Sequence, residues 1–199
     1  MPEIREPIKQ TSIEKKQKII DAGLKLFSEK GYYKTNTAKI AKAAGVSTGI
    51  VYQYFNDKKD ILIYAVKIYF EEIYKPIEEL FRSIKKPIDL DSFLTDLINV
   101  SLKAHSEHSL AHEEMVAMSH SDEDVHNLFI ECEHKIIDSL LVFLQENDIN
   151  TPHMHDKVHM AYSTLENLCH EYIFHKHSFI DYDYTINVTK EIIKMLLIK

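Results

Sequence analysis

The sequence contains no tryptophan and only four glycines, five prolines and two cysteines among its 199 residues. So few glycines and prolines exclude an all-β fold built from many short strands, because the turns of such a fold depend on these residues. Hydrophobic residues make up 45% of the chain and charged residues 28%, as expected for a globular protein with a packed core. Because Leu, Ile, Lys and Glu are common and favour helices, we expect an all-α protein.

Long apolar runs are absent as well. The longest run, residues 61–66, has six residues, whereas a helix needs roughly 20 to cross a bilayer. The N-terminal residues do not combine a basic start with an apolar stretch, so we expect no secretory signal. We therefore expect a cytoplasmic protein without a membrane partner.

The two cysteines do not form a zinc or redox motif. Cys132 and Cys169 are far apart and lie in segments of helical periodicity, whereas such motifs need the close spacing of a CxxC pair. We predict that both are reduced thiols in the core.

Charge is distributed unevenly along the chain, whose formal net charge is -7. Residues 1–60 hold 12 basic and 7 acidic residues, a balance of +5, and the rest hold 12 basic and 24 acidic residues, a balance of -12. All 12 histidines lie between His105 and His177. This asymmetry indicates a basic module that meets a polyanion, joined to an acidic body.

Apolar periodicity predicts about nine helices without internal repeats. We expect Thr11 or Ser12 to cap the first helix, and Asp57 with Asp60 to open a long helix that Pro76 ends or kinks near residue 74. The predicted helices cover approximately residues 11–30, 38–44, 50–55, 57–74, 91–105, 110–118, 122–146, 154–175 and 182–198, and a further apolar segment follows Pro76 at residues 77–84.

Residues 37–56 carry the pattern of a helix-turn-helix. Two helices cross steeply in this motif only if a small residue lies at their contact, a residue that tolerates positive φ makes the turn, and an apolar residue packs the second helix onto the first. Ala41, Gly45 and Val51 meet these needs in order, and Ser47 occupies the N-cap position of the second helix. The alternative is two short helices of a generic bundle.

The N-terminal part of the second helix of this motif enters the major groove of DNA. Residues there that can contact bases or adjacent phosphates are Ser47, Thr48, Gly49 and Tyr52. Residues suited to phosphates are Lys39, Lys42, Tyr54 and Lys58. The alternative for Tyr54 is a place in the core, and for each lysine a solvated position.

Residues 15–62 resemble the DNA-binding domain of the TetR family of transcriptional regulators. The matching positions are Ile19-Ile20-Asp21-Ala22-Gly23, Leu26-Phe27, Gly31-Tyr32, Ile40-Ala41, Ala44-Gly45-Val46-Ser47, Gly49, Tyr52-Gln53-Tyr54-Phe55, Lys58 and Leu62. The resemblance implies a three-helix DNA-binding domain, which we place at residues 1–58, and a helical ligand-binding and dimerisation domain at residues 59–199.

The chain departs from the family pattern at two positions of the motif. Asn36 replaces a Thr that often caps the first helix, and Asn caps equally well. Lys39 stands where an acidic residue is common and adds positive charge near DNA. We count Asn36, Thr37 and Lys39 among the DNA-binding residues.

The C-terminal helices resemble the pair through which the family dimerises. Their apolar residues include Tyr162, Leu165, Leu168, Tyr172, Ile186, Val188, Ile192, Ile193, Leu196 and Leu197. The alternative is a buried hairpin in a monomer. A homodimer would set two recognition helices about one DNA turn apart, as a palindromic operator requires.

A small-molecule effector needs a largely apolar pocket. Candidates for its lining on the predicted inner helix faces are Phe93, Leu97, Met115, Met118, Leu128 and Tyr162. Each of these could instead be ordinary core.

Some histidines have spacings that suit metal ligands. His105, His108 and His112 follow one helix face, and His155 and His159 are four residues apart. Because histidines on an acidic surface are usually solvated, we predict neither a metal nor any other cofactor, and keep a metal or haem effector as an alternative.

Enzyme motifs are incomplete. The HE pairs at His112 and His170 lack the second histidine of a zinc protease. The ExxH spacings that end at His126 and His134 lie on one predicted helix, whereas di-iron sites draw ligands from facing helices. We therefore predict that the chain is not an enzyme.

The first hypothesis is a homodimeric repressor that binds a palindromic operator in double-stranded DNA and leaves it when a small molecule binds. The main alternative has the same architecture with a metal or haem effector bound by the His-rich domain. A metal-dependent helical-bundle enzyme is the third possibility.

Overall fold

A computed structural model describes residues 9–107 and 109–198, without the side chains of 109–111. Within these residues the chain forms nine α-helices and no strand, which confirms the all-α prediction. The helices are α1 (Gln10–Lys30), α2 (Thr37–Ala44), α3 (Thr48–Tyr54), α4 (Lys58–Ser83), α5 (Leu90–Glu107), α6 (Ser109–Ser119), α7 (Glu123–Glu146), α8 (Met154–Phe174) and α9 (Tyr182–Ile198). No helix in the described ranges has the length and apolarity to cross a membrane.

The prediction for the start of α1 was wrong. The helix begins at Gln10, and the N-cap is Lys9, which has an extended backbone and no side-chain capping bond. Its carbonyl accepts hydrogen bonds from the amides of Ser12 and Ile13 at 2.8 and 3.1 Å. Thr11 and Ser12 therefore lie inside the first turn rather than before it.

The prediction that α4 ends or kinks at Pro76 also needs correction, because the helix continues to Ser83. Proline removes one amide donor from a helix and leaves a carbonyl in the preceding turn without its usual partner. Pro76 lies on an exposed part of α4, where water can hydrate that carbonyl. The two predicted segments 57–74 and 77–84 are consequently one helix.

Two other predicted helix starts are confirmed. At α4, the Asp57 carboxylate accepts a hydrogen bond from the amide of Asp60 at 3.0 Å, and the Asp60 carboxylate accepts one from the amide of Asn56 at 2.7 Å. At α7, the Asp122 carboxylate accepts from the amide of Val125 at 3.3 Å. Both starts satisfy amides that have no partner within the helix.

The described chain divides into two compact units. Their division differs from the single boundary predicted after residue 58, because each unit contains two separate stretches of the chain. The first unit comprises residues 9–70 and 109–129, and the second comprises residues 71–107 and 130–198. In the first unit, Lys59 pairs with Asp122 and Asp124 at 2.7 Å each. The rings of Phe70 and Phe129 meet edge to face at 5.0 Å. These contacts join the beginning of α4 to the beginning of α7 within the first unit.

The second unit has its own apolar core. Phe81 stacks on Phe143 with ring centroids 4.5 Å apart, and Phe93 lies 4.8 Å from Phe143. Around this cluster α5, α7, α8 and α9 contribute fully buried residues such as Leu144 and Val158. The two cysteines are buried free thiols, as predicted.

Replacement of Leu144 by Ala should lower the free energy of unfolding by about 2–5 kcal/mol, because it removes buried methyl groups and leaves a cavity. The matched control is Val142→Ala on the same helix, where the side chain is 54% exposed and the expected change is within about 0.5 kcal/mol. Urea unfolding followed by circular dichroism measures both. Equal effects of the two substitutions would contradict the core assignment.

Candidate nucleic-acid interface and ligand cavity

Gly45 makes the turn between α2 and α3 in the left-handed conformation, with φ 69° and ψ 30°. Its amide donates to the carbonyl of Lys42 at 3.3 Å, and the amide of Val46 donates to the carbonyl of Ala41 at 3.0 Å. This pair of bonds is the Schellman arrangement, in which glycine avoids the steric penalty of positive φ. The turn predicted from the sequence is therefore confirmed.

The two helices pack through the small core that the sequence predicted. Ile40 and Val51 are completely buried, and Ala41 is nearly so. Because Val51 faces inward, α3 turns its N-terminal residues outward. The helix-turn-helix packing is confirmed by these burials.

The outward residues of α3 form an exposed polar surface with the start of α2. Ser47, Thr48, Gly49 and Tyr52 are all exposed. The hydroxyls of Tyr52 and Thr37 are 3.1 Å apart, within hydrogen-bond distance. Ser47 is the N-cap of α3, as predicted, but its hydroxyl makes no capping bond. We call the surface of Thr37, Ser47, Thr48, Gly49 and Tyr52 the α3 surface.

Asn36 and Lys39 lie at the edge of the α3 surface. The Asn36 side chain accepts a hydrogen bond from the amide of Lys39 at 2.9 Å, so Asn36 is the N-cap of α2. The Lys39 ammonium donates to the carbonyl of Lys34 at 2.7 Å. Lys39 and Lys42 are both exposed, which leaves positive charge beside the α3 surface.

Tyr54 and Lys58 are not part of this exposed surface. Tyr54 is 9% exposed, which favours the alternative that it belongs to the core. The Lys58 ammonium donates to the carbonyl of Tyr32 at 2.8 Å and lies 3.7 Å from the centre of its ring. Burial lowers the pKa of Lys58. Lys58 therefore joins the start of α4 to the loop after α1.

The sequence analysis missed that α6 completes the first unit. The carboxylate of Glu114 on α6 accepts a hydrogen bond from the amide of Tyr32 in the loop after α1. On the same helix, His112 is buried and hydrogen-bonds through Nδ1 to the hydroxyl of Tyr69. Nothing in helical periodicity alone could reveal contacts between residues so distant in sequence.

A cavity of about 40 Å³ lies in the core of the second unit. Side chains from α4, α5, α7, α8 and α9 line it, and they are mostly apolar. Three of the candidate lining residues, Phe93, Leu97 and Tyr162, are among them. The other predicted lining residues are absent from this cavity, because Met115, Met118 and Leu128 are buried in the first unit.

Two polar side chains that the sequence analysis did not select also line the cavity, namely Ser101 and Glu166. The hydroxyl of Ser101 is buried and, within the described part of the chain, has no hydrogen-bond partner. Unsatisfied buried polar groups are rare in folded proteins. Ser101 therefore offers an unused hydrogen-bonding group to a molecule in the cavity.

A polar cluster lies behind Glu166. His105 hydrogen-bonds through Nδ1 to the carbonyl of Ser101 at 2.8 Å, and its Nε2 lies 3.2 Å from Oε2 of Glu166. Burial opposes the imidazolium form, but hydrogen bonds to Cys169 and Glu166 outweigh burial and raise the pKa of His105 to about 11. A second histidine, His170, also lies beside the Glu166 carboxylate. Its Nε2 is 3.9 Å from the same oxygen, Oε2.

Of the other histidines whose spacing suits metal ligands, the structure places neither His155 nor His159 in this cluster. His108 lies outside the described residues. His155 is exposed, and Nδ1 of His159 lies 3.1 Å from a carboxylate oxygen of Glu133. The pair at 155 and 159 therefore faces solvent rather than the polar cluster.

Two glycines of the motif should respond oppositely to replacement by alanine. Gly45→Ala should destabilise the protein by about 1–2 kcal/mol, because its left-handed backbone disfavours a side chain although a methyl group there meets no atom within 4 Å. Gly49→Ala should be neutral or stabilising by up to ~1 kcal/mol, because Gly49 lies in a helix. Thermal unfolding of both variants measures these effects. Equal destabilisation would contradict the turn geometry.

Ser101→Ala should raise the free energy of unfolding by about 1 kcal/mol, because it removes a buried hydroxyl without a partner. Ser119→Ala is the matched control: Ser119 is also buried in a helix, but its hydroxyl donates to the carbonyl of Val116 at 2.8 Å. That variant should be neutral or less stable. A loss of stability in Ser101→Ala, measured by urea unfolding, would show that the hydroxyl is satisfied.

Comparison with known proteins agrees with this geometry. Residues 19–65 match the family of bacterial regulatory proteins, tetR family. The HTH-type transcriptional regulator HbdR of Aromatoleum sp. (strain CIB) is 47% identical over 77 residues, which cover 37% of this chain and 34% of HbdR. The chain thus matches about a third of that relative's length.

Solved structures share the fold over nearly the whole chain. The fatty acid degradation regulator FadR from Bacillus halodurans is 25% identical, with a TM-score of 0.64 over 92% of this chain and 94% of FadR. A protein from Mesorhizobium loti MAFF303099 assigned to the TetR family is 19% identical, with a TM-score of 0.71 over 95% and 98% of the two chains. The N-terminal region thus matches the tetR family of bacterial regulatory proteins, and the described chain shares its overall fold with regulators of known structure.

Proposed function

We propose that this chain is a transcriptional repressor that binds a palindromic operator as a homodimer and releases it when a small apolar molecule binds. The observation that carries the proposal is the exposed α3 surface, held outward by the buried Val51. The match of residues 19–65 to the tetR family supports DNA binding in general. The operator, the dimer and the effector are the proposed parts.

The α3 surface has the chemistry of a major-groove reader. The hydroxyls of Thr48 and Tyr52 can hydrogen-bond to base edges, and the Thr48 methyl group can pack on a thymine methyl. Gly49 has no side chain to keep the backbone away from DNA. Lys39 and Lys42 would contact phosphates, which position the helix but do not specify sequence.

An exposed apolar stripe on α9 supports the homodimer. Tyr184, Ile192 and Met195 are 68%, 40% and 47% exposed, and Val188 lies between them on the same helix face. Contiguous exposed apolar surface is typical of a protein interface. A two-fold axis through such a stripe gives each half of a palindrome its own recognition helix.

The cavity in the second unit supports an apolar effector and suggests how binding could act. At about 40 Å³ it is smaller than the ~150 Å³ cavity that admits benzene. An organic molecule therefore fits only a conformer in which the surrounding helices have moved apart. A ligand that binds this conformer better than the closed one shifts the population toward it. A coupling of about 1–3 kcal/mol would change DNA affinity roughly 5- to 150-fold.

Substitutions on the α3 surface should separate specific from non-specific DNA binding. Thr48→Ala/Tyr52→Ala should weaken binding to a selected palindrome at least tenfold, which is about 1.4 kcal/mol, and leave binding to bulk DNA nearly unchanged. Lys39→Ala should weaken binding to all DNA. It should also reduce the slope of log affinity against log salt concentration by about one. Fluorescence anisotropy at two salt concentrations measures both.

Lys103→Ala is the control for lost positive charge, because Lys103 is exposed on α5 in the second unit. It should leave DNA affinity unchanged. Unfolding free energies of all variants establish that lost binding is not lost folding. If Thr48→Ala/Tyr52→Ala binds the palindrome like the parent, the α3 surface does not read DNA.

Val188→Asp/Ile192→Asp should convert the dimer to monomers, because burial of two unpaired carboxylates in an apolar interface is unfavourable. The control is Val142→Asp, which places a charge on another exposed apolar site, on α7. Sedimentation equilibrium measures the mass of each variant. A dimer that survives the double substitution would place the interface elsewhere.

A further inference from the structure

Four side chains at the contact of α5 and α8 are the kinds that bind transition metals. His105 comes from α5, and Glu166, Cys169 and His170 come from α8. We propose that these four residues bind a divalent ion of the zinc class. The proposal goes beyond the proposed function, because it requires neither DNA binding nor an organic effector.

The spacing on α8 brings three of these donors to one face of the helix. Cys169 and His170 follow Glu166 by three and four residues, and residues at these separations are neighbours on a helix surface. His105 meets this face from α5. Nitrogen, sulfur and carboxylate ligands from two helices form a donor set that zinc accepts.

The distances from the Glu166 carboxylate to the two histidines suit tetrahedral coordination. Oε2 of Glu166 lies 3.2 Å from Nε2 of His105 and 3.9 Å from Nε2 of His170. With zinc bonds of about 2.0–2.3 Å, two ligand atoms of a tetrahedron stand about 3.3–3.7 Å apart. Shifts of a few tenths of an ångström therefore bring these atoms to coordination distance. A hydrogen bond between Cys169 and His105 brings the thiol to the same place.

His105 is oriented as a metal ligand would be. Its Nδ1 lies 2.8 Å from the backbone carbonyl of Ser101, and a histidine that donates from one ring nitrogen to a carbonyl presents the other nitrogen to a metal. This bond fixes both the tautomer and the direction of Nε2. The supporting contact is a backbone atom, so it does not depend on a further side chain.

The site is protected on one side and accessible on the other. The side chain of His105 is 2% exposed and Cys169 is completely buried. The side chains of Glu166 and His170 are 28% and 29% exposed. An ion can therefore reach the cluster past these two residues, while the buried pair excludes water from the other side.

Protons hold the cluster together when no ion is bound. The imidazolium of His105 then pairs with the Glu166 carboxylate, and burial raises the pKa of Cys169 so that it stays a thiol. Binding of one divalent ion displaces one proton from His105 and one from Cys169, both to solvent. The ion brings two positive charges while two protons leave, so the net charge of the cluster stays the same with the new thiolate included.

The test is titration of the full chain, without a histidine tag and stripped of metal by a chelator, with Co²⁺ and with Zn²⁺. We expect one tight site per chain, intense d–d absorption typical of tetrahedral Co²⁺, and a thiolate-to-cobalt charge-transfer band. Zn²⁺ should displace the Co²⁺ and abolish both bands.

Three variants assign the ligands. Cys169→Ser should abolish the charge-transfer band, and His170→Ala should weaken Co²⁺ binding at least tenfold. His170 is partly exposed, so its loss should not prevent folding. His155→Ala removes an exposed histidine from the same helix and should leave binding unchanged.

Absence of a tight site in the parent chain would overturn the proposal. So would a site whose affinity survives His170→Ala or falls with His155→Ala, since the metal would then lie on the histidine-rich surface. These titrations contain no DNA, so their failure leaves the repressor proposal standing. Failure of DNA binding would in turn leave the metal site untouched.

Discussion

The left-handed turn at Gly45 is the constraint on which the DNA-facing part of the molecule depends. It ends α2, closes two hydrogen bonds with the last turn of that helix and directs the chain into α3. Val51 then packs into the core, and this inward residue fixes which residues of α3 face outward. A polar surface suitable for the major groove is therefore a consequence of one backbone conformation and one buried side chain.

The second unit combines an apolar core with polar groups that such a core rarely tolerates. An unsatisfied hydroxyl at Ser101 and an ion pair between His105 and Glu166 lie beside the same small cavity. Burying polar groups costs free energy unless they are fully paired. A site for a ligand or an ion is a physical reason to keep them, and natural proteins concentrate such costs at functional sites.

Much of the fold could be predicted from the sequence because helices and turns are local. The helix-turn-helix requires particular residue types at fixed separations, so Ala41, Gly45 and Val51 identify it together. The N-cap of α1 was harder to predict, because Thr11 and Ser12 have the right chemistry for an N-cap although the helix begins at Gln10. Pro76 misled the prediction because proline stops a helix less firmly where water can reach the backbone.

The candidate sites of the second unit were only partly predictable. Phe93, Leu97 and Tyr162 could be selected as inner-face residues, but periodicity cannot decide which inner faces meet. The approach of His105 to Glu166 joins residues 61 apart in sequence and depends on the packing of α5 against α8. The sequence did not identify Ser101 as a residue that lines the cavity, because a serine in a helix is usually solvated or bonded to its own backbone.

Selection of bound sequences from a random DNA pool by the full chain tests the central claim most directly. The account predicts an enriched motif with two-fold symmetry, whose half-sites are centred about 10 base pairs or a multiple apart. Recovery of no motif, or of a single half-site without symmetry, would contradict the claim that this protein reads a palindrome as a homodimer.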